Sequence, residues 1–210
     1  MSFIIGFLHT ASVHVDTFTE LVGSRAHTRH IVDESLLADA RAHGVDDALR
    51  DRLVARLRAV ADGSDVVVCT CSTLSGEAEG LASHVAVPVI RIDRPLAEAA
   101  VSIGRRVALV AAVESTVAPT SNLLHEVAFH QGVELELSVV QCFDAWSHFE
   151  RGDTHAYLQS IARHVSDFPD AVDVFVLAQA SMARATEYCK VTVPVLSSPA
   201  LAVQAALAHR

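Results

Sequence analysis

The segment DVVVCTCSTL (Asp65 to Leu74) returns later in the chain as DVFVLAQASM (Asp173 to Met182). Both copies open on Asp-Val, stay apolar for a few residues and end in small polar residues. A second pair follows. VAVPVI (Val85 to Ile90) lines up with VTVPVL (Val191 to Leu196). The offset is 108 residues from Asp65 to Asp173 and 106 from Val85 to Val191. GFLHTASV and LVAAVESTV form a third, weaker pair. Similarity at one wide offset predicts two related halves, not a short-period solenoid. Chance likeness between valine strands is the competing reading, and the shared Val-x-Val-Pro-Val argues against it.

Each half reads as strands alternating with amphipathic helices. FIIGFL, RHIVDES, DVVVC, VAVPVIRI, RVALVAAV, VELELSVV, DVFVLA and VTVPVL have strand character. Helical spacing marks Val13 to Val22, a segment from Leu36, VDDALRDRLVARLRAVADG, Gly76 to Ala82, APTSNLLHEVAFHQG, DTHAYLQSIARHV, ATEYCK and SPALAVQAALAHR. Gly63 and Gly132 are expected helix stops, and Asp33 or Ser35 an expected cap. QCFDAWSHFERGD, with Asp144 and Trp146, reads as a loop whose role is open. This alternation predicts an α/β fold of two pseudo-symmetric domains, each a mostly parallel sheet flanked by helices, with an active-site cleft between them. Residues 1–93 with 198–210 are expected to form the first domain, and 94–197 the second. Ligands of such sheets lie beyond the carboxyl ends of the strands.

Composition removes several classes. The net charge is −9 and the chain holds a single lysine, Lys190, which argues against nucleic acid and anionic membranes as partners. The first apolar run is only six or seven residues long, too short for a signal core or a membrane span. A cytoplasmic protein with reduced cysteines is expected. The twelve histidines are scattered and show no helical zinc spacing. Cys69 and Cys71 are too close to bridge easily, and CxC is not a redox or zinc motif. No metal and no cofactor are expected. A homo-oligomer is compatible with these features.

Alternation assigns Cys69 to the end of a strand and Cys71 to the strand-to-helix turn. A thiol there, flanked by Ser72 and Thr73, can serve as acid, base or nucleophile on a carboxylate-bearing substrate. Amides of a helix start are expected to lower its pKa. Packing as a small buried hydrophobe is the plain alternative. Cys142 and Cys189 match no motif and are read as packing.

VVVCTCST resembles the first thiol motif of the aspartate/glutamate/hydantoin racemase superfamily, with Thr70-Cys71-Ser72-Thr73 at the motif. VFVLAQASM resembles the second motif, RVALVAAVESTVAPTSNLL the middle segment and LSSPALAVQAAL the closing helix. The resemblance implies cofactor-independent proton transfer, with two cysteines facing each other across a substrate. Cys71 keeps the first thiol, and Gln179 stands at the second. His9-Thr10 stands where glutamate racemases carry Asp-Ser. The resemblance implies Cys71 and His9 as catalytic residues. It implies Thr10, Ser72, Thr73, Ser115, Thr116, Gln179, Ala180 and Ser181 as substrate-binding residues, with Thr120 a further hydroxyl. One of Ser115 and Thr116 is expected to cap a helix. The expected reaction is racemase- or isomerase-type proton transfer at the α-carbon of a small carboxylate, an amino acid or related acid. A single-Cys decarboxylase, a cis/trans isomerase and a non-catalytic small-acid binder are the alternatives.

Overall fold

The computed structural model describes residues 2–210 and divides into two compact units. The first takes the chain up to Ile92 together with Pro199–Arg210. Its elements run β1 (Ile4–His9), α1 (His14–Val22), β2 (His27–Val32), α2 (Glu34–His43), α3 (Asp47–Ala61), β3 (Val66–Cys69), α4 (Ser75–Gly80) and β4 (Val89–Arg91). The four strands are parallel in the order β2-β1-β3-β4. The middle strands are buried and, apart from His9 at the end of β1, apolar, because helices cover both faces of a parallel sheet. All of Val66–Cys69 is buried, and each such valine contributes about 1.5–3 kcal/mol. On one face Leu8, Val67, Cys69 and Cys71 pack with Leu49, Leu53, Leu57 and Val60 of α3. Phe7 turns the other way and meets Phe18 of α1.

Local signals set the helix ends. The Asp46 carboxylate accepts the Leu49 amide at 2.8 Å and starts α3. Gly63, two residues beyond that helix, takes φ +74°, where side chains are strained.

The second unit is Asp93–Ser198. It holds α5 (Arg94–Ile103), β5 (Arg106–Ala111), α6 (Val117–Gln131), β6 (Glu136–Gln141), α7 (Phe143–Glu150), α8 (Thr154–Ser166), β7 (Val174–Leu177) and β8 (Val195–Ser197). The last helix, α9 (Ser198–Leu207), returns to the first unit. The second sheet is parallel in the order β6-β5-β7-β8, the same topology as the first. Its core gathers Ala108, Val110, Tyr157, Ile161, Phe175 and Leu177.

The internal repeat extends to individual hydrogen bonds. Asp65 accepts the Ile4 amide at 2.7 Å, and its counterpart Asp173 accepts the Arg106 amide at 2.9 Å. Pro88 and Pro194 carbonyls accept the Val67 and Phe175 amides, both at 2.9 Å. The Asp-Val opening and the Val-Pro-Val motif are therefore sheet-registering devices in both units.

Several expectations are corrected. Phe143–Glu150 is a helix, not a loop, since Trp146 and Phe149 lie at helical spacing and stack at 4.7 Å. Helix α5 was not anticipated, although Pro95 marks its first turn. Val191–Pro194 precedes strand β8 instead of belonging to it, and Ala180–Glu187 is a 3₁₀ segment. Asp33 precedes α2 without a side-chain cap bond, because its carboxylate holds Ser35 and Arg56 instead.

Candidate active site

Cys71 lies in the turn between β3 and α4, beyond the carboxyl end of the strand. Its sulfur is held by the Thr10 side chain, by the amides of Thr73 and Leu74 and by the Thr73 side chain. Its carbonyl accepts the Leu74 and Ser75 amides at 3.0 and 2.8 Å, which closes the turn. Cys71 as a residue is 7% exposed. Burial pushes its pKa up, and the four donors pull it down by less. The expected lowering of the thiol's pKa is therefore reversed. Desolvation of the thiolate outweighs the donors of this short turn.

Thr10, not His9, reaches Cys71. In β1, Leu8 lies beside Cys69, so Thr10 continues the Leu8 face towards Cys71. His9 points to the other face. Its Nδ1 lies 2.8 Å from Thr70 Oγ1 and its Nε2 2.9 Å from His30 Nδ1. The ring is fully buried, stacked on Phe7 and His30 and tilted against His14 and Phe18. Burial, with smaller contributions from His14 and His30, lowers its pKa to about 3. At neutral pH it is an uncharged ring with both nitrogens engaged. Thr70, His30 and His14 were not anticipated. Thr70 was legible as the residue alternating with the two cysteines. His30 comes into place through parallel pairing with Phe7, which spacing along the chain does not reveal.

In the second unit Gln179 follows β7 as Cys71 follows β3. Its Oε1 accepts the Ala112 amide at 2.9 Å, and its Nε2 donates to Thr116 Oγ1. Ala112 is the counterpart of Thr10, so the same two positions touch in both units. Thr116 donates back to the Val113 carbonyl at 2.7 Å and makes no side-chain cap bond to α6. The capping expected there is absent for Thr116, whose hydroxyl is committed to Gln179 and Val113. Ala180 is buried beside Gln179, and Ser181 hydrogen-bonds the Tyr157 hydroxyl at 2.9 Å. Ser72 is buried, and Thr73 and Ser115 are partly exposed. Among the described residues Thr120 Oγ1 and Ser198 Oγ are buried without a hydrogen-bond partner.

Asp144 accepts from His164 at 2.9 Å and Ser160 at 3.1 Å, which ties α7 to α8. All four cysteines are free thiols. Cys142 is buried near Asp144, with its pKa pushed up to about 12. Among the described residues, no three His, Cys, Asp or Glu side chains group to hold a metal ion. No helix among them is long and apolar enough to cross a membrane.

Comparison with known proteins agrees with this architecture. An aspartate racemase from Picrophilus torridus superposes with a TM-score of 0.70 at 16% identity, covering 97% of this chain and 94% of that one. A glutamate racemase from Thermus thermophilus gives 0.70 at 21% identity, over 97% and 78%. An allantoin racemase from Pseudomonas fluorescens gives 0.67 at 20% identity, over 98% and 89%. No curated protein matches in sequence. At these identities the likeness shows the fold. The Asp/Glu/hydantoin racemase family model matches residues 12–206, nearly the whole chain. The chain belongs to the Asp/Glu/hydantoin racemase family.

Proposed function

We propose that this protein is a cytoplasmic enzyme that moves a proton at the α-carbon of a small carboxylate, with Cys71 as the acid/base. The observation that carries this reading is the set of donors on one sulfur. The Thr10 and Thr73 side chains and two backbone amides converge on Cys71 at the carboxyl edge of the sheet. Such donors stabilise a thiolate at the moment it forms. A thiolate kept in a poorly solvated turn is also a stronger base than one in water. That suits removal of a weakly acidic α-proton, at the expense of the fraction ionised at pH 7.

Hydroxyls and amides at the corresponding turn of each unit are the groups proposed for carboxylate recognition. Ser72 and Thr73 flank the thiol. Ser115 and Ala180 lie at the equivalent turn of the second unit, where Thr116 and Ser181 would have to exchange their contacts with Gln179, Val113 and Tyr157 for a ligand. The buried Thr120 hydroxyl has no protein partner, as befits a donor kept for a ligand. The residues named need neither metal nor cofactor to remove and return a proton.

A second reading is favoured by Gln179. An amide does not exchange protons usefully near neutral pH. One-thiol chemistry, in a decarboxylase or a cis/trans isomerase, fits a chain with one thiol and one glutamine at the two equivalent turns. A protein that binds a small acid without turning it over is the third outcome.

The test is α-proton exchange in deuterated water, followed by NMR on both enantiomers of aspartate and glutamate, with Cys71→Ala beside the wild type. Exchange is expected with at least one acid and is expected to fall by at least about 100-fold in Cys71→Ala. Exchange that survives in the variant removes Cys71 from the mechanism. No exchange, decarboxylation or isomerisation with any acid favours the binding protein.

A further inference from the structure

The ends of β1 and β3 are joined by two side-chain contacts on opposite faces of the sheet. Leu8 lies beside Cys69, so His9 is level with Thr70 and Thr10 with Cys71. Thr70 gives both its amide, at 3.0 Å, and its hydroxyl, at 3.1 Å, to the Leu8 carbonyl. Its one hydroxyl proton is then used. The 2.8 Å contact with His9 Nδ1 is satisfied together with that bond only when Nδ1 carries the proton. His9 Nε2 is then a lone pair and accepts the Nδ1–H of His30 at 2.9 Å, and the neutral His30 ring takes the Thr19 hydroxyl at its Nε2, 3.1 Å away, in place of that hydroxyl's 2.8 Å contact with the Val15 carbonyl. The stacked Phe7 and His30 rings fix the imidazole's orientation.

The duplicated unit supplies an internal comparison. There Val110 lies beside Leu177, so Ala111 and Ala178 occupy the positions of His9 and Thr70. The Ala178 amide still reaches the Val110 carbonyl at 2.9 Å. Two alanines therefore suffice to close this edge of the sheet. The polar pair is an addition to the unit that carries the thiol, and the register does not require it.

We propose that His9 and Thr70 are positioning residues, a buried clamp that holds the Cys71 turn and its Thr10 contact in the geometry that proton transfer needs. This inference rests on the reading of Cys71 as the acid/base. His9 acts through Thr70 and touches neither the thiol nor the substrate.

The clamp is tested without turnover, by alkylating the protein with iodoacetamide at one fixed pH and measuring the rate at Cys71 by mass spectrometry. Cys189, half-buried in the other unit, is the internal reference. Thr70→Ala removes the acceptor. His9→Asn keeps an N–H near the Nδ1 position, whereas His9→Gln carries its amide near Nε2. The Cys71-to-Cys189 rate ratio is expected to rise about tenfold in Thr70→Ala and His9→Gln, and to stay within about twofold in His9→Asn. The double variant His9→Ala/Thr70→Ala copies the second unit and is expected to rise no further than Thr70→Ala alone. Thr70→Val, which keeps the volume, gives the same readout if Thr70→Ala does not fold. An unchanged ratio in Thr70→Ala or Thr70→Val, or an equal rise in the Asn and Gln variants, overturns the clamp. Retained α-proton exchange in His9→Asn supports positioning, because an amide cannot replace an acid/base. Absence of exchange in the wild type would sink the Cys71 chemistry and leave the clamp to the labelling result alone.

Discussion

His9 is buried as a neutral ring, and this has a consequence for stability. Its pKa is lowered to about 3 and that of the partly exposed His14 to about 4, in both cases mainly by burial. An unfolded chain would protonate both near 6.5. Between pH 6.5 and about 4 the unfolded state therefore binds more protons than the folded one, and stability falls as pH falls. The limiting slope is about 1.4 kcal/mol per pH unit for each ring, the same for both until pH nears 4, below which His9 alone goes on contributing. The carboxyls of Asp33, Asp144 and Asp173 are held below their usual range, so their loss comes at still lower pH. Urea midpoints measured from pH 7 to 4.5 are expected to decline steadily, and His14→Phe is expected to reduce the slope. A midpoint independent of pH over that range would refute the buried neutral cluster. At this scale Cys71 was legible, because repeat alignment and strand alternation both single it out. Its Thr10 contact and the neutral state of His9 were not. Both depend on which face of β1 each side chain takes and on strands brought together from distant parts of the chain.

At the scale of elements, the strands of both units could be read because apolar runs bounded by Gly, Pro and Asp have few other folds. The second strand-helix boundary in each repeat was less legible. Val85–Pro88 and Val191–Pro194 have strand composition, but the prolines lack the N–H a ladder needs. What composition does not show is how closely elements approach. Gly6 in β1 illustrates this. A Cβ there would lie 2.7 Å from Ser64 Oγ and 2.9 Å from the Val60 carbonyl oxygen at the end of α3. Ser64 itself donates to that carbonyl at 2.7 Å, so neither atom can yield without losing the bond. Gly6→Ala is expected to cost about 1–3 kcal/mol through overpacking of α3 against the sheet. Gly80, at the end of α4, has open space around its Cβ position. Gly80→Ala is expected to leave stability unchanged or raise it by up to about 1 kcal/mol. Denaturant unfolding of the two variants decides the point, and equal effects would mean that the α3–β1 approach is looser than described.

For the whole molecule, the repeat separates what the fold requires from what the chemistry adds. Both units share topology, register and the Asp and Pro hydrogen bonds, and these were legible because a duplicated sequence states its constraints twice. The units differ where a reaction would need them to differ. His9, Thr10, Thr70 and Cys71 in the first become Ala111, Ala112, Ala178 and Gln179 in the second. A proton removed and returned by one thiol keeps the configuration of the α-carbon. Inversion needs a second group acting on the opposite face. The wild type is therefore expected to incorporate deuterium with retention, measurable as exchange without loss of optical rotation. Gln179→Cys places a thiol at the position equivalent to Cys71. The change carries a stability cost of about 1–3 kcal/mol, because the buried Ala112 amide loses the Gln179 oxygen as its acceptor. Full inversion by the wild type would show instead that a group other than residue 179 completes the reaction.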